Sequence, residues 1–152
     1  MSITRRDVLS LLPGVLCAGA VMPELFDRSE AEAQASSLPS GIYLFDKLKV
    51  DSSEGAEFRP ILKGKLATGE IIEVHETMLP PGGAPHPPHH HKHSEMWLIR
   101  EGTVEITIEG KPHRLSDGSV AMVRSSEEHG ITNPGNKPAT YFVVAVGPGA
   151  DE

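Results

Sequence analysis

The chain has 152 residues, 38% of them hydrophobic, and a formal net charge of −7. That length supports one core of ordinary size, and the acidic balance offers no basic footprint for nucleic acid. With 15 glycines and 13 prolines, the composition favours short strands joined by turns over long helices.

The first residues read as an address. Thr4-Arg5-Arg6-Asp7-Val8-Leu9 leads into an apolar run from Val8 to Met22, which Pro13 and Gly14 interrupt. Ala31-Glu32-Ala33 and Ala33-Gln34-Ala35 each fit a small-residue cleavage site. The paired arginines before a moderately hydrophobic run resemble a twin-arginine export signal. The run is shorter than the roughly 20 residues that cross a bilayer, so a cleaved signal over residues 1–35 is favoured over a retained anchor. The expected location is the periplasm or another exported site, with membrane contact only during export. Cys17, the only cysteine, lies within this stretch. The mature part, residues 36–152, then has no thiol for a disulfide or a metal.

From Ser36 onward, short alternating runs are bounded by Gly, Pro and Asp. Ile42–Phe45 is a candidate first strand. Glu57–Leu66 contains Pro60 and is expected at an edge or with a bulge. Glu70–Leu79 places Ile72, Val74 and Met78 on one face. Ser94–Arg100 follows, then Thr103–Glu109, which alternates most cleanly, with Val104, Ile106 and Ile108 on one side. Pro112–Leu115, Ser119–Arg124, His129–Asn133 and Ala139–Val146 complete the series. The last run is apolar on both faces and suits a covered central strand. About nine strands and no convincing helix after residue 40 fit a sandwich or closed barrel over roughly residues 40–147.

The chemistry concentrates in Gly83–Gly102. Five of the eight histidines lie between His86 and His93, and Glu95 follows. In an extended segment His89 and His91 project from one face, and Glu95 keeps their parity. Imidazoles and a carboxylate at such spacing are metal-ligand chemistry. His90 has the opposite parity and is expected to face out. His93 shares the ligands' parity and competes with Glu95 or supports the ion from behind. His86 reads as loop and His113 as surface. His75, in mid-strand, reads either as a strand histidine or as an acid–base group in a pocket. Trp97 reads either as pocket lining or as core. Met96 and Leu98 point the other way, where an exposed face would pair with a second barrel. Arg124 reads either as a solvated loop arginine or as a contact for an anion.

The spacing Gly83-x5-His89-x-His91-x3-Glu95-x6-Gly102 matches the first motif of the cupin superfamily at every position. Gly118-x5-Arg124-x-Ser126-x2-His129-x3-Asn133 is similar to the second motif, with Arg124 and Ser126 where Pro and Gly are usual. The chain therefore resembles a small single-domain cupin. The resemblance implies an all-β, jelly-roll β-barrel (a double-stranded β-helix) holding one divalent metal. By match of position its ligands are His89, His91, Glu95 and His129. Such a set suits Fe(II) or Mn first, and is also compatible with Ni, Cu and Zn. It leaves two positions on a six-coordinate ion. The resemblance further implies a homodimer.

Three functions follow from that expectation. The first is a metal-dependent, dioxygenase-like oxidoreductase acting on a small chelating anion. The second is a metal-dependent isomerase or lyase, in which His75 or His93 would move protons. The third is a module that binds a small ligand or metal without turnover. Fold alone does not choose among them.

Overall fold

The computed structural model describes residues 36–53 and 55–151. All belong to Ala33–Glu152, the second of two units into which the chain divides. The segment read as an export signal lies outside the described residues, and no helix among them is long and apolar enough to cross a membrane.

Among the described residues, nine strands run β1 (Asp51–Ser53), β2 (Ala56–Lys65), β3 (Ile71–Leu79), β4 (Ser94–Glu101), β5 (Thr103–Ile108), β6 (Lys111–Ser116), β7 (Val120–Val123), β8 (His129–Thr132) and β9 (Ala139–Val146). They form a six-stranded sheet in the order β1-β2-β3-β9-β4-β7 and a three-stranded sheet in the order β6-β5-β8. Every pairing is antiparallel. The fold is the all-β double-stranded β-helix anticipated above.

One expected strand is absent. Residues 42–45 are not a strand; they lead into a single 3-10 turn, Phe45–Lys47, and the first strand is Asp51–Ser53 instead. The apolar residues misled because they are mostly exposed: Ile42 is 89% accessible. Phe45 instead lies over the guanidinium groups of Arg59 and Arg100, 4.9 and 4.8 Å from their carbons. Those two arginines flank Glu76, which is fully buried on the outer face of the large sheet. Arg100 Nη1 donates to Glu76 Oε1 at 2.6 Å, and Arg59 Nη1 lies 3.9 Å from Oε2.

Pro60 acts as expected. β2 shifts register against β3 between Pro60 and Leu62, where a ladder donor is missing. β5 alternates as its sequence dictates, with Val104 and Ile106 both at 0% exposure. They pack with Leu79, Trp97, Val123 and Tyr141 between the two sheets. Burying side chains of this size contributes roughly 1.5–3 kcal/mol each. β9 is central, between β3 and β4. It is fully covered on one face only: Tyr141, Val143 and Ala145 are buried, and Phe142, Val144 and Val146 are half-buried. Beside that outer face Leu98, Val120 and Met122 are exposed.

Gly102 joins β4 to β5 at φ 89°, and a Cβ there would stand 2.7 Å from the Pro138 carbonyl oxygen and 2.8 Å from Ala139 Cα. Both neighbours are backbone and cannot move aside. Gly102→Ala is expected to lower stability by at least ~1–2 kcal/mol, the cost of the left-handed conformation alone. Chemical denaturation measures this, and an unchanged midpoint would show that the turn relaxes freely.

Candidate metal centre

The two motif segments lie side by side. His89 and His129 form an antiparallel bridge. His89 N–H donates to the His129 carbonyl at 2.9 Å, and His129 N–H to the His89 carbonyl at 2.8 Å. One end of the contact is tied by Ser126 N–H to the His91 carbonyl at 2.8 Å. The other end is tied by Asn133 N–H to Gly83 O at 2.9 Å and by Gly82 N–H to Asn133 O at 2.8 Å. Buried Asn133 also donates its side-chain amide to the carbonyls of Leu79 and Lys137, at 3.0 and 2.8 Å. The asparagine of the second motif thus anchors the loop that delivers the histidines of the first.

Candidate ligand atoms of His89, His91 and His129 all lie within 4.8 Å of one another, and so do those of His91, His93 and Glu95. The two groups share His91. His91 Nε2 is 2.8 Å from Glu95 Oε2, and His129 Nε2 is 3.7 Å from the same oxygen. His93 stacks on His91 with ring centroids 3.5 Å apart and planes 16° apart. Its backbone carbonyl accepts the Nδ1–H of His91 at 2.9 Å. His86, on the preceding loop, stands edge-on to His89 at 4.1 Å. His90 and His113 are exposed.

Hydrogen bonding decides which nitrogens are available. His91 Nδ1 donates to the His93 carbonyl, and His129 Nδ1 donates to the Glu127 carbonyl at 2.8 Å. A neutral imidazole so tied has only a lone pair at Nε2. Both Nε2 atoms therefore present lone pairs toward one carboxylate oxygen. Acceptors 2.8 Å apart repel unless a proton or a metal cation lies between them. Neighbouring ligands around an ion with ~2.1 Å bonds are about 3 Å apart, so the spacing fits a metal. His89 Nδ1, His93 Nδ1 and His129 Nε2 are buried with no hydrogen-bond partner, an arrangement that a coordinated cation relieves.

The charge states of His89 and His93 agree with a metal there, and those of Glu95 and His129 with a proton in the same place when no metal is bound. Burial, reinforced by the imidazoles of His86, His129 and His91, pushes His89 down to about 4 and leaves it one free ring lone pair at neutral pH. Burial and the adjacent His91 likewise lower His93. Burial opposes the ionised form of Glu95, but the imidazoles of His129 and His91 outweigh it and leave the pKa lowered. Burial also opposes the charged form of His129, yet the Glu95 carboxylate and the Glu127 carbonyl leave it raised.

The cluster opens into a cavity of about 760 Å³ between the sheets. Trp97 unites the two roles considered for it: it is 2% exposed within the core, lines the cavity and meets His129 edge-on at 5.4 Å. Arg124 is solvated and ion-paired with Glu127. His75 lines the cavity, with Nδ1 2.9 and 3.0 Å from the two carboxylate oxygens of Glu73. Glu73 is absent from the sequence reading above; its parity with His75, two residues on, is the signal that would have found it. Tyr141 and Thr77 also line the cavity, and their side chains hydrogen-bond.

Ser126 explains how the second motif tolerates its substitution. It takes φ 68°, the left-handed conformation that the usual glycine adopts freely. Ser126→Gly is expected to stabilise the protein by about 0.5–1 kcal/mol, and a branched Ser126→Val to destabilise it by ~1–2 kcal/mol. Thermal unfolding of the three proteins tests the order. For the cluster itself, His89→Ala and His129→Ala are each expected to abolish tight stoichiometric metal binding, and His86→Ala to preserve it. Titration calorimetry with metal analysis reads this. Equal loss in all three would mark a loose histidine tract.

Comparison with known proteins agrees with this fold. Residues 75–145 match the Cupin domain family. Mannose-1-phosphate guanylyltransferase of Klebsiella pneumoniae is 31% identical over 76 residues, half of this chain but only 16% of that protein. An RmlC-like cupin from Shewanella frigidimarina superposes with a TM-score of 0.61 at 17% identity, over 74% of this chain and 96% of that one. A protein from Thermotoga maritima described as a predicted oxalate decarboxylase gives a TM-score of 0.59 at 19% identity, over 70% and 98% of the two chains. These solved structures speak to the fold alone. Residues 75–145, which carry both motif segments, thus match the Cupin domain family, and the two-sheet barrel has the double-stranded β-helix fold of the RmlC-like cupin it superposes on.

Proposed function

We propose that the protein is an exported, metal-dependent enzyme acting on a small chelating anion. One divalent ion, Fe(II) or Mn by preference, would be held by His89, His91, Glu95 and His129. The observation that supports this reading is the crowding of two imidazole lone pairs against the Glu95 carboxylate, which only a proton or a cation relieves. A dipositive ion with one carboxylate ligand keeps a net positive charge. It would attract an anionic, bidentate oxygen ligand into the cavity. His91 and His129 would be held by their backbone acceptors, and His93 would brace His91 by stacking. With a redox-active metal, the chemistry supplied would be oxygen-dependent, and the protein a dioxygenase-like oxidoreductase.

A second reading, an isomerase or lyase, is favoured by one observation. The Glu73–His75 pair faces the same cavity and offers an acid–base group for proton transfer there.

Metal analysis of protein exported by its own leader, followed by oxygen-uptake assays with β-diketones and catechols, tests the first reading. Stoichiometric iron or manganese and oxygen consumption with one of these probes are expected. Only zinc, or no metal, would remove the redox reading.

A further inference from the structure

Glu73 and His75 sit on the inner face of β3, two residues apart and hydrogen-bonded, with side chains only 17% and 18% exposed. The register places them relative to the cluster. Glu73 pairs with Ala145, and Ala145 pairs with Glu95 on its other side. His75 pairs with Val143, and Val143 pairs with Trp97. Glu73 therefore shares a row of one sheet with Glu95, and His75 shares the next inward row with Trp97, each across a single strand. Neighbouring antiparallel strands are ~5 Å apart, so Glu73 and Glu95 have Cα atoms about 10 Å apart. Between them the floor is Ala145, whose one-carbon side chain leaves the span open to the cavity.

The dyad also has a defined polarity. An ionised carboxylate accepts only, so the proton of a neutral His75 is on Nδ1, facing Glu73. Nε2 keeps its lone pair and makes no hydrogen bond among the described residues, where the ring lines the cavity. Phe58 packs on the ring, with centroids 4.6 Å apart, and limits its rotation.

We propose that His75 is a base for a carbon acid held between it and the histidine cluster, with Glu73 as its positioning residue. This deepens the isomerase or lyase reading and rests on it. The chemical class is a 2-oxo acid carboxylate or a neutral 1,3-dicarbonyl compound with its oxygens toward His89, His91 and His129 and its acidic carbon toward β3. The α C–H bond breaks, and its proton forms the N–H bond at His75 Nε2. The electron pair moves into the carbon–carbon bond of an enolate as the carbonyl π pair moves onto oxygen. Glu73 balances the imidazolium that results. Return of the proton to a different carbon or face completes the step without oxidant or reductant.

The full chain loaded with redox-inert Zn(II) is incubated in D2O with 2-oxobutanoate and acetylacetone, and α-proton exchange is followed by NMR. Wild type is expected to exchange at least one probe, and His75→Gln about 100-fold more slowly, with zinc content and probe affinity unchanged. A readout without metal accompanies it. The 15N spectrum of metal-free protein should show His75 protonated at Nδ1, and Glu73→Gln should mix the tautomers without changing the circular dichroism spectrum. Bound zinc and bound probe with exchange absent, or equal in wild type and His75→Gln, overturns the proposal and leaves the metal reading standing. Zinc that fails to bind stoichiometrically overturns the metal reading and this proposal together. A His75 proton on Nε2 overturns the role of Glu73.

Discussion

Two reciprocal backbone hydrogen bonds between His89 and His129 are the constraint on which the rest depends. They join a loop rich in proline and histidine, with little regular structure, to a four-residue strand. That contact turns residues 40 positions apart in the chain into neighbours on one wall of a cavity. Asn133 and Ser126 extend the contact at either end, so the first-motif loop is held along its length. Without these ties the loop has no strong reason to present its imidazoles inward, because its own sequence would be solvated equally well.

Once the segments are clasped, electrostatics sets the site's character. Backbone carbonyls fix the Nδ1 protons of His91 and His129 and direct two lone pairs at Glu95. Burial then keeps His89 neutral. The cluster is poorly satisfied as a set of bare side chains and well matched to a cation. Such a local conflict within an otherwise consistent barrel is where function is expected to concentrate. The apolar floor of the cavity and the inward placing of Glu73 and His75 on the same sheet as Glu95 follow from strict strand alternation. The same parity that buries Val143 and Tyr141 turns His75 inward.

Much of this is legible from residues alone, and the failures are instructive. The strand from Thr103 reads correctly because one of its faces is completely buried, so burial enforces alternation. Ile42–Phe45 misreads because apolar residues can serve as a strap: Phe45 covers two arginines instead of joining a sheet. Arg124 and Ser126 break the expected motif spelling, yet the turn survives, because a serine can adopt the left-handed conformation at modest cost. Glu73 goes unread since a carboxylate on a strand looks like ordinary surface until strands distant in the chain enclose a cavity for it to face.

From the sequence alone came eight of the nine strands, the positions of the turns between them, the parity of His89, His91 and Glu95, and the two motif spacings. These are properties of neighbours along the chain, governed by the two-residue repeat of extended backbone and by glycine and proline chemistry. Only the tertiary structure decided that His129 faces His89, that His93 stacks on His91, and that the Glu73–His75 pair shares a cavity with the cluster. Those relations depend on register between distant strands. Register is chosen by burying one face of every strand at once, a condition no local stretch of sequence contains.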